Sequence, residues 1–532
     1  MIPRTSHFHL NIAACRHLLY VALVSVLTAL LLNRYHRRAK GRSSLRYPPS
    51  PPYIPFFGNW FFIPSGPEYL AFKKLGEDLN SDVISLQMFG RRFVILNSAE
   101  AATDLLEKRS AIYSDRSPAP MMSDPRLMGW STNAGMIRYN DLWRHYRRLF
   151  NNWFNTRAAP QFHKIQQNQA RALLRRLLEV SEEAHPFSRA RDEFFFTLAS
   201  TMFQVGYGYQ LKEPDDPFFV NARQTIHNFT EASMFTNFLV NIFPTMIHIP
   251  DWVPGTGWKR TGREWRRIKE KAMDEPFEWT KAQVAAGTAK YSILGSLLQD
   301  HKLVSDLSDE ERDKRIKELG LVMYSATSWG QSSNLLIAFV AAMVLNPAVQ
   351  MKAQEEIDTI LGPATLPTVS DIERFPYVSN LIKELKRWHP VVPGALPHTC
   401  FVDDHYRGYD IRKGTIIIGN VWAMTRDERY YRDPEVFDPD RFLDLNVPPA
   451  PVFGWGRRKC PGINLGEASL SIAITSLLAT YTFSKQRDIN GTDIAPFIES
   501  DANTTALELR PFEFRLELRS ERHRQLILES SV

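Results

Sequence analysis

Cys460 lies in Phe453-Gly454-Trp455-Gly456-Arg457-Arg458-Lys459-Cys460-Pro461-Gly462, a loop dense in glycine and basic side chains. The glycines at 454, 456 and 462 open backbone conformations closed to other residues and allow close approach to a flat ligand. Arg457, Arg458 and Lys459 flank the cysteine, and an apolar run from Leu465 to Ala479 reads as a helix starting just beyond it. Both features are expected to favour thiolate over thiol. A thiolate so presented is an iron ligand or a nucleophile. The plainer alternative is a structural cysteine in a tight turn, the usual fate of a lone Cys.

Three further constellations carry chemistry. Trp143 and Arg147 are four residues apart in a helical stretch opening at Leu142, and so share a face. Glu384 and Arg387 stand three apart in another helical stretch, which His389-Pro390 ends. Leu319 to Leu345 reads as one long apolar helix with a small and polar centre, Ser325-Ala326-Thr327-Ser328-Trp329-Gly330-Gln331-Ser332-Ser333. Taken singly these are weak signals: a Trp/Arg pair can be a surface cation–π contact, and Glu-x-x-Arg an exposed ion pair worth little.

Together they resemble the cytochrome P-450 family, whose haem-binding loop Phe-x-x-Gly-x-Arg-x-Cys-x-Gly is matched at Phe453, Gly456, Arg458, Cys460 and Gly462. The resemblance implies a mainly α fold with small β-sheets, preceded by one N-terminal membrane anchor helix. It implies haem b, iron protoporphyrin IX, with Cys460 as axial thiolate and Phe453 and Gly462 in the loop against it. Trp143, Arg147, His398 and Arg458 are expected at the propionates, since guanidinium pairs well with carboxylate. Glu384, Arg387 and Arg441 (of Pro439-Asp440-Arg441-Phe442) are expected to form a buried triad supporting the loop. Residues 113–135, irregular and rich in Met and Pro, match the segment that lines the family's substrate chamber; plain packing is the equal alternative. Pro250-Asp251-Trp252-Val253-Pro254-Gly255-Thr256-Gly257-Trp258-Lys259 looks like the fungal branch that tailors secondary metabolites. The resemblance implies a segment that roofs the pocket and dips into the membrane; two exposed tryptophans capping a helix pair is the equal alternative.

The helix of the oxygen side departs from the family pattern. Counting back from Pro347 puts Gly330 where the family has an acid and Gln331 where it has a threonine. Heterolysis of a peroxide needs two protons, and an acid with an alcohol relays them through water. Gln331 can hold a water but does not titrate; Ser332 can substitute only if the helix carries a bulge. The catalytic set expected here is therefore Cys460, Gln331, Gly330 and Ser332. The leading function is insertion of one oxygen atom from O2 into an apolar small molecule, a terpenoid or polyketide intermediate. The missing acid–alcohol pair keeps open a haem-dependent rearrangement or dehydration, or a catalytically silent haem-binding protein.

These groups need a large scaffold, and 532 residues, 44% hydrophobic, supply one. No linker or repeat interrupts the chain after its N-terminus, so one domain is expected over 53–532. It follows an anchor at 1–33 and a basic, proline-rich hinge at 34–52. The apolar run Leu18–Leu32 is short for a span. The six basic residues Arg34, Arg37, Arg38, Lys40, Arg42 and Arg46 that follow place the body in the cytosol, and the resemblance to microsomal members of the family implies the endoplasmic reticulum membrane. A cleaved secretory signal would need a small-residue cleavage site, which is wanting. Cys15, Cys400 and Cys460 are too few for a disulfide framework. A net charge of +7 without nucleic-acid-binding character points to membrane lipid or an acidic protein partner, not nucleic acid. With no dinucleotide fingerprint of its own, the chain would draw electrons from NADPH through NADPH–cytochrome P-450 reductase. Arg144, Arg148, Arg457 and Lys459 offer a basic docking face, with solvated surface charge the alternative. Val83–Leu96 reads as a strand pair, Ala99–Lys108 as a helix capped by Ser98, Glu264–Lys281 as a solvated helix and Ile411–Gly419 as a hairpin.

Overall fold

The structure, a computed structural model, describes residues 45–530 except 235–236, 300–301, 329–330, 489, 495 and 501–504. At 325–328 and 331–332 it describes the backbone alone. The expected anchor, and the hinge as far as residue 44, lie outside the described residues. The chain is mainly helical with small sheets, and it separates into a large unit, Pro49–Val402 with Lys413–Val532, and a small one.

In the large unit β1 (Val83–Met88) and β2 (Arg91–Leu96) pair antiparallel, as their alternation predicts, about a turn in which Phe89 and Gly90 both take positive φ. Ser98 caps the next helix, its Oγ accepting the Ala101 N–H. The sheet has four strands in the order β1-β2-β6-β3, with β3 (His398–Thr399) antiparallel and β2 parallel to β6 (Ile416–Gly419). The small unit holds the hairpin β4 (Asp404–Tyr406) and β5 (Tyr409–Ile411), turned through Arg407 and Gly408, both at positive φ. Ile411–Gly419 is therefore no hairpin: Ile411 closes one while Ile416 opens the sheet's parallel strand, and four residues, with Gly414 at positive φ, separate their pairings. A two-stranded sheet, β7 (Tyr481–Ser484) with β8 (Arg515–Leu518), lies towards the C-terminus.

The helices that matter for the site are α1 (Asp141–Phe154), α2 (His163–Val180), α3 (Phe187–Tyr207), α4 (Pro217–Ser233) and α5 (Gly257–Ala285). They continue with α6 (Asp309–Ser328), α7 (Gln331–Leu345), α8 (Pro347–Leu361), α9 (Pro376–Trp388) and α10 (Ile463–Thr480). The apolar run 319–345 spans the end of α6 and all of α7, with 329–330 between them outside the description. Pro347 ends α7 as expected, and α8 leaves at 106°. α5 is longer than the solvated helix read at 264–281, and one face of it is buried. That face is made of Lys259, Gly262, Lys269, Ala272, Pro276, Phe277 and Thr280, too polar a set to register as an apolar stripe.

Two large apolar clusters make up most of the described core, with smaller ones at the four-stranded sheet and around Ala170, Val369 and Ile472. One gathers Leu335–Val344 of α7 with α2, α9, the later part of α10 and the β7–β8 sheet. The other gathers the 121–137 loop, α1, the second half of α3, α4 and α6, and includes Leu465 of α10. Among the described residues α10 is the one unbroken helix long and apolar enough to cross a membrane, and most of it is buried in this core. Its apolarity is that of a core helix.

Candidate active site

The cysteine loop is shaped by its glycines and by one backbone bond. Cys460 N–H donates to Phe453 O at 2.9 Å, closing the loop before α10 begins after Gly462. Gly456 sits at φ +54, and a Cβ there would lie 2.4 Å from Leu106 O, so only glycine fits. The three basic residues diverge. Arg458 turns inward, donating to Ser114 O at 2.9 Å and Ile137 O at 2.7 Å, its guanidinium 4.7 Å from the centre of the Trp143 ring. Arg457 turns outward to Tyr139 Oη at 2.6 Å, and Lys459 is exposed. The flanking charges therefore do not lower the Cys460 thiol. Burial pushes it up, opposed by the Gly462 backbone bond and by Arg147. This corrects the expectation that the loop by itself favours the thiolate: a ligating metal must do so, as metals do for a bound thiol.

Trp143 and Arg147 share the inward face of α1, whose first turn is fixed by Asn140 Oδ1 accepting the Trp143 N–H at 2.9 Å. Arg147 donates to Lys459 O at 2.6 Å and is pulled down by burial. Edge strand β3 brings in His398, whose Nδ1 lies 2.8 Å from Tyr113 O. Burial, then Arg116 and Arg458, hold His398 well below the ordinary imidazole range. Burial first and Arg116 next bring Arg458 down to about 8. Arg116, which no sequence motif marks, is buried and held by Leu396 O and Pro397 O; its Nε has no partner. Burial brings it to about 10. The carboxylate among these groups, Asp115, is engaged by Arg138 Nε at 3.1 Å and Tyr139 N–H at 2.8 Å.

Arg147 acts on Cys460 and Arg458 precedes it by two residues, both half-buried, while Arg116 is buried against Arg458; the bonds of all three go to backbone carbonyls. Buried charge is costly without a counter-charge, and a ligand bearing two carboxylates would supply it. Among the described residues no group of His, Cys, Asp and Glu can hold a metal ion unaided. An iron at Cys460 must arrive in a macrocycle. The donor set fits haem.

Behind the loop Glu384 takes a bidentate pair from Arg387, both bonds at 2.7 Å and both residues fully buried. Arg441 Nε stands 3.4 Å from the same carboxylate, and Asp438 N–H donates to it at 2.9 Å. Arg387 spends its other donors on Thr425, Pro434 and Val436 carbonyls, so the group is fully satisfied. On the other side Gly330 lies outside the described residues, and Gln331 and Ser332 open α7 without described side chains. Asn334, a turn further and not singled out in the sequence, donates to Leu507 O at 3.2 Å and ties α7 to the segment before Pro511.

This fold is consistent with that of a haem-thiolate protein, and the residues around Cys460 fit one. The chain matches the family model for cytochrome P-450 over residues 48–501 and belongs to that family, whose members carry haem on a cysteine thiolate. It is 34% identical over 517 residues to a cytochrome P-450 monooxygenase of Armillaria gallica, covering 96% of this chain and 99% of that protein. It is 36% identical over 495 residues to one of Hericium erinaceus, covering 92% of each. Tryptamine 4-monooxygenase of Psilocybe cyanescens is 33% identical over 485 residues, 89% of this chain and 93% of that protein. The chain is an enzyme of the cytochrome P-450 monooxygenase family.

Proposed function

We propose that this enzyme inserts one oxygen atom from O2 into an apolar small molecule, a terpenoid or polyketide intermediate, with electrons from NADPH delivered by NADPH–cytochrome P-450 reductase. The observation that carries the reading is the set of desolvated cations, buried Arg116 with half-buried Arg147 and Arg458, around a glycine-shaped loop that holds one cysteine. Haem on a cysteinate supplies cleavage of bound dioxygen. Cys460 would hold the haem iron through its thiolate. Arg147, Arg458, His398 and Trp143 would hold the propionates together with Arg116, and the Glu384–Arg387–Arg441 group would keep the loop in register. The loop 121–130 supports an apolar substrate: Met121, Met122, Leu127, Met128 and Trp130 are all buried, and its acid, Asp124, is taken by Arg126 at 2.8–3.0 Å.

Two surfaces support the partners. Arg144, Arg148, Arg457 and Lys459 are exposed, which suits a basic face for an acidic reductase. Phe56, Phe61, Leu239 and Trp252 are 60–82% exposed, and Phe56 stacks on Phe243 at 6.2 Å, joining the segment after the hinge to the 239–252 segment. Such an apolar patch favours membrane lipid and accords with a single-pass anchor in the endoplasmic reticulum membrane, the catalytic body cytosolic. Trp258, by contrast, is half-buried, and Lys259 is spent on Ile249 O and Asp251, so the Pro250–Lys259 turn is held as structure.

A second reading rests on Gly330-Gln331 in place of an acid and an alcohol: a rearrangement or dehydration that needs no proton relay to dioxygen. Mass spectrometry of extracts from the host with and without this gene separates the two. The proposal predicts an accumulated precursor lighter than the lost product by one oxygen. A precursor of equal mass, or heavier by one water, would establish the second reading instead.

A further inference from the structure

The irregular loop 121–130 has little secondary structure of its own, yet it is fastened at several points along one face of α5. Lys269 Nζ donates to Gly129 O at 2.9 Å, and Arg266 Nη1, one turn earlier, to Pro125 O at 2.5 Å. One turn earlier again, a Cβ on Gly262 would stand 3.1 Å from Leu127 and 3.2 Å from Met121, so the missing side chain lets the loop lie against the helix. From the other side Met121 N–H donates to Asn241 Oδ1 at 2.9 Å, and Asn241 is itself pinned by the Ala232 and Met234 carbonyls. Trp130 then packs edge-on against Phe229 of α4, ring centres 4.8 Å apart.

Lys269 is the costly member of this set. It is 7% exposed, and among the described residues no carboxylate forms an ion pair with it. The charged groups facing it are Glu270, Arg266 and Asp274 of its own helix and Glu318 of α6. Each is otherwise engaged: Glu270 with Arg266, Asp274 with Lys317, and Glu318 with the Tyr146 hydroxyl of α1. Burial accordingly brings the Lys269 ammonium down to about 8. An apolar side chain would fill this site at less cost; what it could not do is hold a carbonyl in place.

We propose that Lys269 is a positioning residue for substrate selection: by clamping the Gly129 carbonyl it sets where Trp130 and the buried methionines of the loop stand. The proposal rests on the reading that residues 113–135 line the substrate chamber, and its test keeps the two apart. The full-length haem-loaded protein is prepared as wild type, Lys269→Met and Lys269→Arg. Amide hydrogen exchange reads the loop, and optical titration with imidazole, a small haem ligand, and clotrimazole, a bulky one, reads the chamber. Loss of one charge-assisted bond is expected to speed exchange over 121–130 and weaken clotrimazole binding, each about tenfold. Exchange in α10 and imidazole affinity stay unchanged, and Lys269→Arg, which keeps the donor, recovers most of both effects. Unchanged loop exchange in Lys269→Met would overturn the clamp itself. Faster loop exchange with clotrimazole affinity intact would overturn the chamber reading on which selection depends. Faster exchange throughout, with imidazole binding also lost, would reduce Lys269 to a stabilising core residue.

Discussion

Residues in this protein act through what burial does to them. Arg116 is plain in the sequence but its place is not, because its partners Leu396 and Pro397 lie 280 and 281 residues away and only the fold joins them. The opposite holds for Cys460, whose loop spacing was legible while its electrostatics were not. Adjacent basic residues suggested a lowered thiol, but successive side chains of a tight turn point apart, and burial decides. His389 offers a test of the same rule away from the haem site. It is buried, and burial, then Arg426, bring it from 6.5 to about 4. The folded protein thus keeps it neutral while the unfolded chain takes a proton, so stability is lost as pH falls from 6.5 towards 4. The loss should reach about 2 kcal/mol by about pH 5. Urea midpoints at pH 7 and pH 5 check this: the acid-side drop should shrink in His389→Gln, and an equal drop would show that His389 does not titrate in this way.

At the scale of elements, legibility followed periodicity. The β1–β2 pair and the Ser98 cap were readable because alternation and capping are local. α5 looks solvated in the sequence because its buried face carries lysine, glycine and threonine, which make contacts with distant segments. α7 is buried over Leu335–Val344, so its apolar run told of a core helix but not which side faces what. The Glu384–Arg387 pair was one of very many such spacings; only burial and the Arg441 and Asp438 contacts distinguish it. Removing one charge from a buried pair costs about 3–5 kcal/mol. Glu384→Gln should therefore yield protein that fails to retain haem, measured as the haem-to-protein absorbance ratio after purification. Full haem content with slower turnover would mean that the pair tunes the site and does not hold it.

For the whole molecule, family and fold class were legible from a ten-residue loop with two supporting pairs, because thiolate ligation constrains so few groups so tightly. Substrate and electron source are spread over loops and surfaces whose residue types are generic, and these the sequence does not specify. One bond is central to the proposed function, that between Cys460 and haem iron, since the desolvated cations, the glycine loop and the Glu384 group would all serve it. The most direct measurement is the absorption spectrum of the purified full-length protein, reduced and exposed to carbon monoxide, beside that of Cys460→Ser. The account predicts the long-wavelength Soret band of a thiolate-ligated ferrous carbonyl in the wild type and its loss in the variant. No haem in the wild type, or the same band in Cys460→Ser, would contradict it.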